Sequence, residues 1–403
     1  MFLPDKKFEG ERLKIARQLR GLTLTELAKK TGISKQSLSL YENSKIAPSC
    51  PNMERLATEL RFPQVFFSQK DRYRTRTDVT YFRSLSTTTK IDRTAQSIKL
   101  EFVAKMYKAL LDYIDFPAIN LLDNVEFKGT DDEFDFVGNA STQEQIEKIT
   151  SKLRAHWRVG DAPIANLQFL LEKNGIIVTG FDTEEDKIDA FSQCTHVNDN
   201  DMFFIALSIG KRPEGRIRFD MAHELGHILL HPWSEDIEMI TKEEFKAREK
   251  QANMFASAFL LPKTTFEADV GLYANKLTHY LYLKKKWHMS VQAMVYRTHQ
   301  LGLITNTQFQ YLMRQISQRG WRTREPDDTP FNLNENIFQG AIELLINERI
   351  LSAASIMRLF SNYGVTMERK DIEELLHLRK GTLQSQETKG QIIKLKGSSN
   401  PGV

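Results

Sequence analysis

Cysteine is scarce: Cys50 and Cys194 are the only two in a chain of 403 residues. Two thiols cannot build the disulfide framework of a secreted scaffold. They also exclude a zinc site made of cysteines. No apolar run approaches the ~18 residues that a membrane-spanning helix requires. The opening stretch from Met1 to Arg12 has no apolar core of the secretory type. The expected compartment is therefore the reducing cytoplasm, with no membrane partner. No internal repeat is visible. Hydrophobic residues make up 41% and charged residues 27%, which excludes a mostly disordered chain. The length argues for two or three domains.

Positive charge is in excess only at one end. Residues 1–93 hold 19 Lys and Arg against 10 Asp and Glu, whereas the remaining 310 residues hold 37 against 42. A basic end on an acidic body points to contact with nucleic acid, the plainer alternative being a solvated basic face.

Residues 8–67 read as short amphipathic helices. Leu13, Ile15, Ala16 and Leu19 recur at helical spacing. Thr23 followed by Glu26 has the form of a capping box, Gly32 turns the chain, and Ser34 caps a further helix through Tyr41. Residues 70–95 are polar and rich in Thr and Arg, as a connector would be. A helix is expected over 96–122, and the acidic stretch 123–135 is the best boundary. Further helices are expected over 142–157, from 161 to about 175, over 216–231, 242–260, 276–325 and 336–380. Short strands are expected at Ile176–Val178, Ile188–Phe191 and Met202–Leu207. The tail from Gln384 is polar, and disorder is expected there.

The string His223-Glu224-Leu225-Gly226-His227 carries the chemistry. Residues four apart share a helix face, so two imidazoles can reach one metal ion. The carboxylate between them can take a proton from water. The apolar surroundings (Phe219, Met221, Ala222, Ile228, Leu229) suit a buried helix. The alternative is a core helix with two satisfied histidines. A catalytic zinc ion needs a third protein ligand. The extended motif with a third histidine is absent, because Leu230 and Trp233 stand at its two remaining positions. Glu249, 22 residues after His227, is favoured, with Asn253 on the same face as a hydrogen-bonding support. Glu235, Asp236, Glu238, Glu243 and Glu244 compete from a charged, loop-like or helix-start segment. His231 reads as a packing or supporting histidine. Cys194 reads as a small buried residue rather than an inhibitory thiolate.

The run Arg216–His231, RIRFDMAHELGHILLH, resembles the ImmA/IrrE family of zinc metallopeptidases. So do Glu249–Pro262, Ile188–Ser192 and Pro163–Leu167, and the resemblance spans about 145–325. It implies Zn2+ as cofactor, His223, His227 and Glu249 as its ligands, and Glu224 as the catalytic carboxylate. It further implies a helix-turn-helix repressor as the protein substrate, cut to derepress stress or mobile-element genes.

The N-terminal segments Leu24–Ile33, LTELAKKTGI, and Ser34–Asn43, SKQSLSLYEN, resemble the Xre/Cro type of helix-turn-helix. Leu27, Ala28, Ile33 and Leu38 would pack its two helices. The second helix would enter the major groove of double-stranded DNA, with Lys35, Gln36, Ser37 and Ser39 as candidate contacts. The alternative is a protein-interaction module that has lost DNA binding.

The expected fold is mainly α with a small β-sheet, of the α+β class. Its parts are a helix-turn-helix domain (1–70), a helical connector (71–140) and a zincin-like metallopeptidase core (141–275). A helical C-terminal region (276–383) and a disordered tail (384–403) follow. The expected function is a cytoplasmic DNA-binding regulator carrying a zinc endopeptidase, with homodimerisation as an open expectation. The alternative is a regulator whose metallopeptidase-like domain senses a ligand or metal without proteolysis. His231 and Tyr273 are weak candidates for stabilising an oxyanion.

Overall fold

The computed structural model describes residues 7–70, 75–82, 89–122, 140–181, 190–197, 200–210, 212–232, 240–333 and 335–384. Four helices open the described chain: α1 (Gly10–Leu19), α2 (Leu24–Thr31), α3 (Lys35–Glu42) and α4 (Cys50–Leu60). Local chemistry sets their ends. Thr23 accepts from the Glu26 amide and Glu26 caps Thr23 in return, which completes a capping box. Gly32 takes the left-handed conformation (φ 70°) that stops α2, a conformation glycine adopts without a Cβ penalty. Ser34 then accepts from the Ser37 amide to start α3. Leu13, Leu27, Ile33, Leu38 and Leu56 are buried between these helices, and Ala28 is partly buried at their edge.

The segment read as a connector contains a strand, β1 (Thr75–Phe82), and a long helix, α5 (Lys90–Leu110). After these come α6 (Ala140–His156), α7 (Leu167–Lys173), β2 (Ile176–Phe181), β3 (Ala190–Val197) and β4 (Asn200–Ser208). The sheet order is β1-β3-β4-β2; β2 and β4 run parallel and the other two pairs antiparallel. The expected strands at 176–178 and 202–207 lie inside β2 and β4. Of the strand expected at 188–191, Ile188 and Asp189 lie outside the described residues, and β3 runs on to Val197.

The sheet divides two cores, and the period-2 alternation of its strands feeds both. Ile177, Phe191, Phe204 and Ala206 face a core shared by α1–α5 and the last three helices. Those are α14 (Ile337–Asn347), α15 (Ala353–Asn362) and α16 (Arg369–Leu375). Ile176, Val178, Ala190, Ile205 and Leu207 face the second core. It is built from α6, α7, α8 (Glu214–Leu230), α9 (Lys242–Leu260), α10 (Lys263–Val270), α11 (Leu277–Trp287), α12 (Val291–Gln300) and α13 (Asn306–Gln318). A mainly helical α+β fold with one small sheet results.

The C-terminal helices thus complete the N-terminal layer. Arg12 donates from Nη1 to the Gly364 carbonyl (3.1 Å) and Arg20 pairs with the buried Asp371. Thr366 donates to Gln69 (2.9 Å), and the Tyr363 hydroxyl to Asp112 (2.7 Å). The stretch expected as one C-terminal region is split: 276–333 belong to the second core and 337–383 to the first. The tail expected to be disordered lies, beyond Gln384, outside the described residues.

Candidate metal centre

α8 starts after Pro213 and ends where Pro232 follows His231, because proline has no N–H for the helix and restricts the residue before it. Twelve of its seventeen residues are buried, so the helix is enclosed nearly all round. α9 starts at Thr241, whose side chain accepts from the Glu244 amide (3.1 Å), with Glu243 and Glu244 at the favourable end of the helix dipole. The two helices cross at Gly226. A Cβ there would stand 3.2 Å from the Ala252 Cα and 3.1 Å from Phe255 Cδ1. Only glycine against alanine permits this approach, and it brings the α9 carboxylate to the α8 imidazoles. Arg297 secures the far end of α9 by donating to the Leu261 carbonyl (3.0 Å) while its other nitrogens clamp Glu147 of α6 at 2.6 and 3.0 Å.

His223, His227 and Glu249 come together with ligand-capable atoms within 4.8 Å of one another. The two Nε2 atoms are 3.1 Å apart. Glu249 places Oε1 3.1 Å from His227 Nε2 and Oε2 3.5 Å from His223 Nε2. Tetrahedral zinc with bonds of ~2.0–2.1 Å sets its ligand atoms roughly 3.3 Å apart, so these three separations fit such an ion.

The outer hydrogen bonds fit it too. His223 Nδ1 lies 3.1 Å from Asn253 Oδ1, an acceptor, so the ring proton belongs on Nδ1 and the Nε2 lone pair faces the cluster. His231 Nε2 lies 3.0 Å from Gln251 Oε1, which assigns the His231 proton to Nε2. Its Nδ1 is then an acceptor, 2.9 Å from His227 Nδ1, and His227 also turns a lone pair inward. These tautomers are assigned from the network. Two imidazole lone pairs and a carboxylate converging at such distances repel one another unless a cation lies between them.

Burial works to raise the Glu249 carboxyl, but where protons on the two Nε2 atoms take the place of a metal ion, hydrogen bonds from His223 and His227 and their charge outweigh it and hold the group well below the usual carboxylate range. His231 is pushed well below the usual histidine range, first by burial and then by His227 and Arg248, despite its bond to Gln251. A neutral His231 is what the relay to His227 requires.

Glu224 is fully buried, and its Oε2 accepts from Ser192 Oγ on β3 at 2.7 Å. No motif pointed to Ser192 or to Gln251. The available signals were the Ile188–Ser192 segment and the need of a buried His231 for an acceptor.

Among the competing acids, Glu243 and Glu244 sit in the first turn of α9, where Glu244 pairs with Arg248. Glu235, Asp236 and Glu238 lie outside the described residues. Cys194 is buried on β3 and is not part of the cluster. Neither weak oxyanion candidate is suited to that task. Both His231 nitrogens are committed, to His227 and Gln251. Tyr273 is exposed beside His279 and Lys276.

In the N-terminal helices, Lys35 and Gln36 are exposed on the first turn of α3, while Ser37 and Ser39 are half-buried. The Ser37 Oγ takes a hydrogen bond from the capping Ser34 (2.9 Å), so its hydroxyl is partly committed.

Residues 171–299 match the peptidase family described as the IrrE N-terminal-like domain, and residues 13–63 match a family described as helix-turn-helix. No curated protein matches this sequence. One chain thus carries a segment similar to a helix-turn-helix and a segment similar to an IrrE-like, peptidase-type domain. No helix among the described residues is long and apolar enough to cross a membrane.

Proposed function

We propose that this protein is a cytoplasmic DNA-binding regulator that carries a zinc-dependent endopeptidase and cleaves a helix-turn-helix repressor. The observation that carries the catalytic half is the convergence of His223 Nε2, His227 Nε2 and a Glu249 carboxylate oxygen within 4.8 Å. These three residues would hold Zn2+, which when bound supplies Lewis acidity to polarise a peptide carbonyl. Glu224, adjacent to His223, accepts the proton of the attacking water and returns it to the leaving amine. The Ser192 hydroxyl, donating to Oε2 at 2.7 Å, fixes the orientation of that carboxylate. Asn253 and His231 hold the imidazole rings in the tautomers that leave Nε2 available.

The test uses purified full-length chain, metal analysis and a candidate repressor. Glu224→Gln should retain zinc and lose cleavage, because an amide cannot accept the water proton. Wild-type cleavage by that variant would remove Glu224 from the role of base. A chain that holds stoichiometric zinc, binds operator DNA and cuts no repressor would favour the sensing alternative, to which the complete burial of Glu224 lends weight.

A further inference from the structure

A cleft of about 980 Å³ opens beside the metal-type cluster and ends on Glu249 and Asn253. It lies on the same helix stripes as the cluster. On α8, Arg216, Phe219 and Asp220 precede His223 at helical spacing; on α9, Lys246, Lys250 and Met254 flank Glu249 and Asn253. We infer that this cleft binds a peptide segment carrying a large apolar or aromatic side chain flanked by acidic residues. The inference deepens the peptidase reading of the adjoining cluster and rests on it for the identity of the peptide as substrate.

The floor is apolar. Phe219 and Met254 are half-buried, and Ala293, Tyr296 and Trp321 complete the apolar lining. Tyr296 is 51% exposed although its ring packs on Phe309, so an incoming apolar group gains a stacking surface already held in place. Such a floor orients a side chain without fixing its identity.

The lip is cationic. Arg216, Lys246 and Arg322 are all exposed around the mouth, and Arg216 donates to the Arg322 carbonyl (3.4 Å). The acidic lining residues offset them only in part, because Asp220 has a cation of its own in Arg212 and Glu325 and Asp328 share Lys284. Asp220 pairs with Arg212 at 3.6 Å. Glu325 accepts from the Val291 and Gln292 amides at the start of α12 and from Lys284. Asp328 pairs with Lys284. Glu249 belongs to the cluster with the two histidines, where a cation between them would balance its charge. The field at the mouth is therefore positive, and it favours carboxylates beside the apolar anchor. A phosphodiester chain fits less well, since it would carry its backbone charge down to the Glu249 carboxylate. A peptide brings neutral backbone to that end and keeps its charges at the lip.

The test uses full-length Glu224→Gln chain, so that binding is read without hydrolysis, and two labelled peptides with the same central phenylalanine. One has flanking Asp and Glu, the other Lys and Arg. By fluorescence anisotropy at low salt the acidic peptide should bind about tenfold more tightly, the advantage shrinking as salt rises. Adding Lys246→Glu and Arg322→Glu should reverse the preference, and Trp321→Ala should weaken both peptides. Equal affinities, or a preference untouched by the double reversal, would overturn the inference. So would an oligonucleotide of equal charge that displaces the peptide at comparable affinity, which would make the lip a nucleic-acid surface. If the acidic peptide binds as described but the unsubstituted chain cuts neither peptide, the peptidase reading fails and the cleft stands. If the unsubstituted chain cuts both at one rate, the reverse holds.

Discussion

Replacing Gly226 by alanine adds one methyl group at the point where α8 and α9 touch. The new Cβ would lie 3.1 Å from Phe255 Cδ1, 3.2 Å from Phe255 Cβ and 3.2 Å from the Ala252 Cα. An ordinary carbon contact needs ~3.5–4.0 Å, so α9 must retreat by a few tenths of an ångström. Ala252 meets the methyl with its backbone, which no rotamer change can withdraw. Overpacking of this kind costs about 1–3 kcal/mol, against a gain of about 0.8–1 kcal/mol from helix propensity. The net expectation is destabilisation by about 1 kcal/mol. The same retreat carries Glu249 away from His227 and His223, now at 3.1 and 3.5 Å, so zinc affinity should fall as well. Gly340 supplies the control: it is exposed on α14 and a Cβ there meets nothing within 4 Å. Gly340→Ala should stabilise by about 0.5–1 kcal/mol and leave zinc binding unchanged. The assay is urea unfolding of the metal-free proteins together with calorimetric zinc titration. If Gly226→Ala proved as stabilising as Gly340→Ala, with wild-type zinc affinity, the helix crossing would not be what sets the cluster.

Glu249→Ala should lower zinc content in the purified protein, as should either histidine replacement, whereas Glu244→Ala should not; a full zinc complement in Glu249→Ala would move the third ligand elsewhere. Lys35→Ala with Gln36→Ala should weaken operator binding by about 1–3 kcal/mol for each side chain that reads a base edge. Gel-shift titration against scrambled DNA checks this, and equal wild-type affinity for both DNAs would defeat the premise. These substitutions are a cleaner perturbation than deleting the N-terminal helices, which would strip a wall from the core shared with α14–α16. Glu172 is buried beside Gln168, and burial pushes its carboxyl up to about 8 despite hydrogen bonds from Gln168 and the Ile337 amide. The folded state then holds a proton that the unfolded state releases near the ordinary value. Its stabilising contribution is full below that value and is lost as pH rises towards about 8. Glu172→Gln should flatten that decline between acidic and mildly alkaline pH, and an unchanged stability–pH profile would refute the assignment.

What could be read from the sequence was local. The Thr23–Glu26 box, Gly32 and Ser34 delimit the helix-turn-helix because caps and turns depend on neighbours within four residues. The four-residue spacing of His223 and His227 likewise places both on one helix face whatever the rest of the chain does. Which acid would join them was not local. Five carboxylates competed with Glu249, and its placement follows from how closely α9 approaches α8 at Gly226 and Ala252. Sequence spacing does not reveal Ser192 and Gln251, because a hydrogen-bond partner 32 or 20 residues away along the chain leaves no periodic trace. β1 reads as a connector because it sits in the polar, Thr- and Arg-rich stretch 70–95, and it is a strand by virtue of pairing with β3. Residues 337–383 carried no motif at all, yet Phe338, Ile342, Ile356 and Phe360 close the core under the helix-turn-helix. Sequence spacing is a one-dimensional signal and determines what lies within a turn or two of helix. Contacts between distant segments arise from volume filling and the satisfaction of buried polar atoms, and these only the tertiary structure decided.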